Sequence, residues 1–112
     1  MAMIGEIYRH LFKKRATVLY PFKERELVHV PVGMRGKPSL NRDLCVGCGL
    51  CGRDCPSGTI EIIQDEKGKR PIFYLDRCLF CGQCEEICPK SAIELTPDFE
   101  IASYDRKTMI LR

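Results

Sequence analysis

Hydrophobic and polar positions follow two different periods along this chain. Near its start Ile4, Ile7, Tyr8, Leu11 and Phe12 fall at i, i+3, i+4, i+7 and i+8, which is one face of a helix. Arg9, His10, Lys13, Lys14 and Arg15 occupy or flank the other side, so the spacing predicts an amphipathic helix. Residues 16–32 hold Pro21, Pro31, several β-branched residues and alternating charges, and read as an extended strap. Further on, residues 59–63, 72–75 and 92–95 run apolar or alternate as short strands, with Ile60 and Ile93 facing inward. Residues 67–71 read as a polar turn leading into the second of these strands. Residues 49–55 and 82–88 suit a helical turn or two, each stopped by a proline, Pro56 or Pro89.

The middle of the chain is an internal duplication. DLCVGCGLCGRDCPSGTIEI begins at Asp43 and DRCLFCGQCEEICPKSAIEL at Asp76. A shift of 33 residues superimposes all four cysteines, the prolines, Gly49 on Gly82, Ile60 on Ile93 and Glu61 on Glu94, without a gap. Two copies of one supersecondary unit are the simplest account.

Each copy reads C-x2-C-x2-C-x3-C-P, a spacing that holds iron–sulfur clusters, with the fourth Cys reaching the other cluster where two are present. Three thiolates two residues apart wrap a loop round three corners of a cubane. Gly47, Gly49 and Gly82 let the backbone approach the sulfurs without a Cβ in the way. The fourth Cys lies past a helical turn and points away from its own loop. The expected ligand sets are therefore Cys45, Cys48, Cys51 and Cys88 for one [4Fe–4S] cluster, and Cys78, Cys81, Cys84 and Cys55 for the second. Two zinc ions would fit less well, because each triple leaves its middle sulfur crowded. Assigning all eight cysteines as ligands leaves none for nucleophilic chemistry.

Composition and charge sharpen this picture. Eight of 112 residues are Cys, and they are counted within a hydrophobic fraction of only 45%, so a thin core needs metal staples. Residues 1–39 carry eight Lys/Arg against three Asp/Glu. Residues 40–97 carry seven against nine and hold every cysteine, and residues 98–112 carry three of each. A basic arm, a cysteine core and a neutral tail are the expected divisions. The overall +3 is too mild to argue nucleic-acid binding. Basic residues interrupt the first apolar stretch, unlike a secretory leader, and no run approaches the ~20 apolar residues of a membrane span. An intracellular protein with reduced cysteines is expected. His10 and His29 lack metal-ligand spacing, and neither a phosphate loop nor a Rossmann fingerprint is present.

Residues 40–97 resemble the bacterial-type two-cluster [4Fe–4S] ferredoxin fold, an α+β fold of pseudo-twofold, duplicated βαβ-like halves. The approach VPVGMRGKPSLNRDLCVGCGLCGRDCP, with Arg35-Gly36-Lys37 before the first Cys, resembles the ferredoxin-like subunit I of respiratory complex I. The tail FEIASYDR at 99–106 is similar to the equivalent subunit of archaeal membrane-bound hydrogenases and sulfane reductases. The resemblance implies a relay of single electrons through two clusters. Electrons would pass from a cluster-bearing partner toward a subunit beside a quinone or a NiFe-type site, at the cytoplasmic face of the cell membrane. This chain is shorter than complex I subunit I beyond its second motif, which favours the compact archaeal type. The helix and basic arm are then expected to dock on partner subunits or lipid headgroups. A free soluble ferredoxin is the competing expectation, and has no use for such an arm. Clusters acting only as structural staples are a third.

Overall fold

The computed structural model describes residues 3–66 and 68–112, in two compact units, Met1–Val30 and Pro31–Arg112. In the first unit the 3.6-residue period produces helix α1, Ile4–Leu11. Glu6 sits in its first turn and Arg9 and His10 in its last, as the helix dipole favours. Glu6 also bonds Arg9 at 3.2 Å and His10 at 2.9 Å, which sharpens the polar face. No residue of α1 is buried, and Ile7, Tyr8, Leu11 and Phe12 stand exposed. The segment after it is not a straight strap. The Glu24 carboxylate accepts from Leu19 N–H at 2.8 Å and pairs with Arg15, the Lys23 N–H bonds Leu19 O, and a 3-10 turn follows at Arg25–Leu27. A side-chain acceptor placed to capture a backbone donor folds this stretch back on itself.

Among its described residues the second unit holds five strands and two short helices: β1 Pro38–Leu40, α2 Leu50–Arg53, β2 Ile60–Asp65, β3 Gly68–Tyr74, α3 Gln83–Glu86, β4 Ile93–Leu95 and β5 Ile110–Leu111. All pairing is antiparallel. β1 pairs with β4, Pro38 opposite Leu95 and Leu40 opposite Ile93. β2 pairs with β3 from Ile60↔Phe73 to Asp65↔Gly68, and β5 adds to β3 at Phe73 and Tyr74. The polar turn expected at 67–71 is therefore tighter than its composition suggests. Gly68 to Pro71 belong to β3, and Lys67 lies outside the described residues. Pro71 is tolerated because β5 pairs only further along β3, where the missing donor is not needed.

Ile60 and Ile93 do face inward, and join Phe73, Leu75 and Cys51 in the core, with Phe73 only 2% exposed. Residues of the tail contribute as well. A 3-10 turn at Arg106–Met109, started by Asp105 accepting from Lys107 N–H, delivers Met109 and Leu111 onto this cluster. Among the described residues no helix is long and apolar enough to cross a membrane.

The β1–β4 pairing extends toward the amino end. Gly36 N–H donates to Thr96 O at 2.9 Å, Lys37 N–H to Asp98 O at 2.7 Å, and Thr96 N–H to Lys37 O at 3.0 Å. A Cβ on Gly36 would strike the Asp98 and Thr96 carbonyls. Gly36→Ala should accordingly destabilise this unit by about 1–3 kcal/mol, as overpacking does. That would lower the melting temperature by at least ~4 °C in a thermal scan of the iron-loaded protein; an unchanged midpoint would contradict the close approach.

Candidate metal centre

The two cysteine runs adopt the same local backbone. Gly47 and Phe80 have φ of 69° and 51°, Gly49 and Gly82 have 77° and 87°, and Gly58 and Ser91 have 59° and 47°. Each pair is separated by the 33 residues of the sequence repeat. Phe80 and Ser91 hold left-handed conformations without being glycine, a strain of order 1–3 kcal/mol each that packing must offset. Gly49 and Gly82 start α2 and α3, each a single turn. In both copies the third Cys lies within this helix and the fourth just after it.

This geometry sorts the cysteines into two groups. One cavity is lined by Cys45, Cys48, Cys51 and Cys88, the other by Cys55, Cys78, Cys81 and Cys84. They are close to equal in size, about 390 and 360 Å³ including the part open to solvent. Each helix therefore carries a cysteine of one cavity near its start and a cysteine of the other beyond its end. Ile62, Pro71 and Ile93 wall the first, and Ile60, Phe73 and Leu95 the second. No cysteine is disulfide-bonded.

Burial pushes the Cys51 thiol up to about 11, helped by the neighbouring Cys48 and Cys45. Burial raises Cys84 likewise to about 11, with Cys78 adding to it, and burial also raises Cys78. At Cys55 burial works in the same direction, but hydrogen bonds from Thr59 and Ser57 overcome it and bring the thiol down to about 7. Backbone donors serve the sulfurs too: Ala92 N–H reaches Cys88 Sγ at 3.2 Å and Phe80 N–H reaches Cys78 Sγ at 3.4 Å.

The donor set fits iron–sulfur clusters. Cys51, Cys78 and Cys84, raised by burial, ionise less readily alone, and a strongly positive centre favours their thiolates. Among the described residues no three Cys, His, Asp or Glu side chains converge closely enough for a single metal ion. Each cavity is instead lined by four sulfurs drawn from both repeats, the donor number and type that a cubane cluster takes. His10 bonds Glu6 within its own helix.

Comparison with known proteins gives the class. Residues 44–92 match the 4Fe-4S dicluster domain, and the cysteine-lined unit is a ferredoxin-like domain of that kind. The chain is homologous to NADH-quinone oxidoreductase subunit I. It is 44% identical over 115 residues to subunit I 1 of Nitrosospira multiformis, covering 93% of this chain and 66% of the relative. It is 42% identical over 118 residues to subunit I of Pseudomonas putida, covering 96% and 63%. With the Cytophaga hutchinsonii subunit it shares 48% over 65 residues, 54% of this chain and 35% of the relative. The chain thus spans between about a third and two thirds of the length of these relatives. Among solved structures it resembles a chain of the membrane-bound sulfane sulfur reductase, an archaeal respiratory membrane complex, with a TM-score of 0.64 and 28% identity over 84% of this chain and 50% of that one.

Three residues at the site escape the cysteine pattern. Arg35 donates to Cys81 O at 2.8 Å and lies across Gly82, bracing the second loop. Thr59, 1% exposed, and Ser57 turn their hydroxyls toward Cys55. Only comparison of the two repeats, where Lys90 and Ala92 hold the matching places, singles out this last pair.

Few apolar side chains of this unit are buried, and in such small domains metal binding and folding share one free energy. Anaerobic removal of iron with a chelator should abolish hydrogen-exchange protection of the β2–β3 amides; retained protection in the iron-free chain would show a fold independent of the clusters.

Proposed function

We propose that this chain is an electron-transfer subunit of a complex-I-related, membrane-bound oxidoreductase of hydrogenase, sulfane reductase or quinone reductase type. Its ligands are proposed to be Cys45, Cys48, Cys51 and Cys88 for one [4Fe–4S] cluster, and Cys78, Cys81, Cys84 and Cys55 for the other. The observation that carries this reading is the sharing of each short helix between two cysteine-lined cavities, which puts a cysteine of one site four residues from a cysteine of the other. The chemistry supplied when the clusters are bound is one-electron transfer. The protein's part is to fix the sulfurs, bring backbone N–H groups to them, and keep water out of the space between with Ile60, Phe73 and Ile93.

The antiparallel pairs β1–β4 and β2–β3, and the three pairs of left-handed residues at one offset, support a pseudo-twofold duplication. Each strand preceding one motif pairs with the strand following the other. The relatives are named as oxidoreductase subunits and the structural neighbour is part of a respiratory membrane complex, so a free soluble carrier is not favoured. The exposed apolar face of α1 and its basic flank suit docking on partner subunits beside the cytoplasmic face of the cell membrane, as a peripheral component. A NiFe-type or other cluster-bearing subunit is the expected neighbour.

Ligand exchange between the repeats is tested by paired variants. The electron paramagnetic resonance spectrum of Cys88→Ser should lose or alter the same cluster as Cys45→Ser, while Cys55→Ser should match Cys78→Ser; a match of Cys88→Ser with Cys78→Ser would overturn the assignment. Deleting residues 1–30 should leave two clusters per chain and abolish co-purification with membrane partners under mild detergent. Intact assembly without the arm would contradict the docking role, and isolation of the native chain as a free monomer would contradict the subunit reading.

A further inference from the structure

The two cavities are alike in size and in cysteine count, but they differ in the donors that meet their sulfurs. Thr59 Oγ1 lies 3.3 Å and Ser57 Oγ 3.5 Å from Cys55 Sγ, and the two hydroxyls are 3.2 Å from each other. Thr59 is buried and lines the same cavity as Cys55, Cys78, Cys81 and Cys84. A ligating thiolate has no proton to give, so both hydroxyls act as donors. Ser57 donates to Cys55 or to Thr59 Oγ1, and in the second case it polarises the Thr59 O–H that reaches sulfur. In the other repeat Lys90 and Ala92 take these places. Among the described residues no hydroxyl-bearing side chain lines the cavity of Cys45, Cys48, Cys51 and Cys88.

Hydrogen bonds to cluster sulfur are among the factors that set reduction potential. Reduction adds one negative charge to the site, and a donor aimed at sulfur stabilises the more negative state more. Burial strengthens the effect, because little water competes for the charge. Exposed cations stand beside both sites, Lys90 at the first and Arg35 at the second, and solvent screens them.

We infer that Ser57 and Thr59 polarise the pair, making the site framed by Cys55, Cys78, Cys81 and Cys84 the one of higher potential, where a single electron comes to rest. One electron leaves the first site and one enters the second, with no proton transferred. Ser57 and Thr59 are tuning residues that act through the ligand sulfurs. The inference rests on the two-cluster reading above.

The test is a redox titration of the iron-loaded full chain followed by paramagnetic resonance, with the second cluster identified by its loss in Cys78→Ser. Thr59→Val keeps shape and removes the hydroxyl, and Ser57→Ala removes the partly buried one. Each should lower the potential of the second cluster and leave the first unmoved. The shift expected for Thr59→Val is at least tenfold in the distribution of the electron, about 59 mV for a one-electron couple. Thr59→Ser should restore the native value, and Ala92→Ser should raise the potential of the first cluster. Two clusters per chain with both potentials unmoved, or movement of the first alone, would overturn the inference. Should Thr59→Val fail to take up iron, Ser57→Ala decides the matter by the same shift. A native chain without two clusters would instead overturn the reading on which the inference depends.

Discussion

Each short helix of the cysteine-bearing unit is committed to both cavities at once. Cys51 opens toward one and Cys55, a turn later, toward the other, and α3 does the same with Cys84 and Cys88. Neither cavity can be completed by its own stretch of chain. The antiparallel pairs enforce the same dependence, since β4 pairs with the strand before the first motif and β2 with the strand before the second. A domain with this few buried apolar side chains gains cooperativity from that arrangement: loss of either half removes a wall and a sulfur from the other.

Much of this was legible in the sequence because cysteine spacing is a covalent ruler. Four cysteines at fixed intervals, a proline after the last and a repeat at 33 residues specify where the loops, helical turns and following strands must lie. The inward placing of Ile60 and Ile93 follows from that register. What resisted prediction depends on contacts distant in sequence. The polar run Gly68–Lys69–Arg70 looks like a turn by composition, and only pairing with β2 draws it into a strand. Similarly, the last residues carry no strong pattern, yet Met109 and Leu111 complete the core because β3 offers them an open edge.

Other features are invisible for local reasons. Glu24 folds the segment beyond α1 through its carboxylate, a capture that a count of prolines and charges does not register. Phe80 and Ser91 occupy backbone conformations that the first repeat assigns to Gly47 and Gly58, so the second repeat sustains a strain its own residue types do not announce. Arg35 is one of several basic residues in the sequence, and only the fold brings it to the Cys81 carbonyl.

The sharing of helices also sets an order in time. As the chain emerges from the ribosome, amino end first, the loop of Cys45, Cys48 and Cys51 is made well before Cys88. Throughout that interval the first site lacks its fourth sulfur, and for the first part of it the β2–β3 hairpin that walls it as well. Iron delivered to the nascent chain would meet an incomplete and solvent-open binding loop.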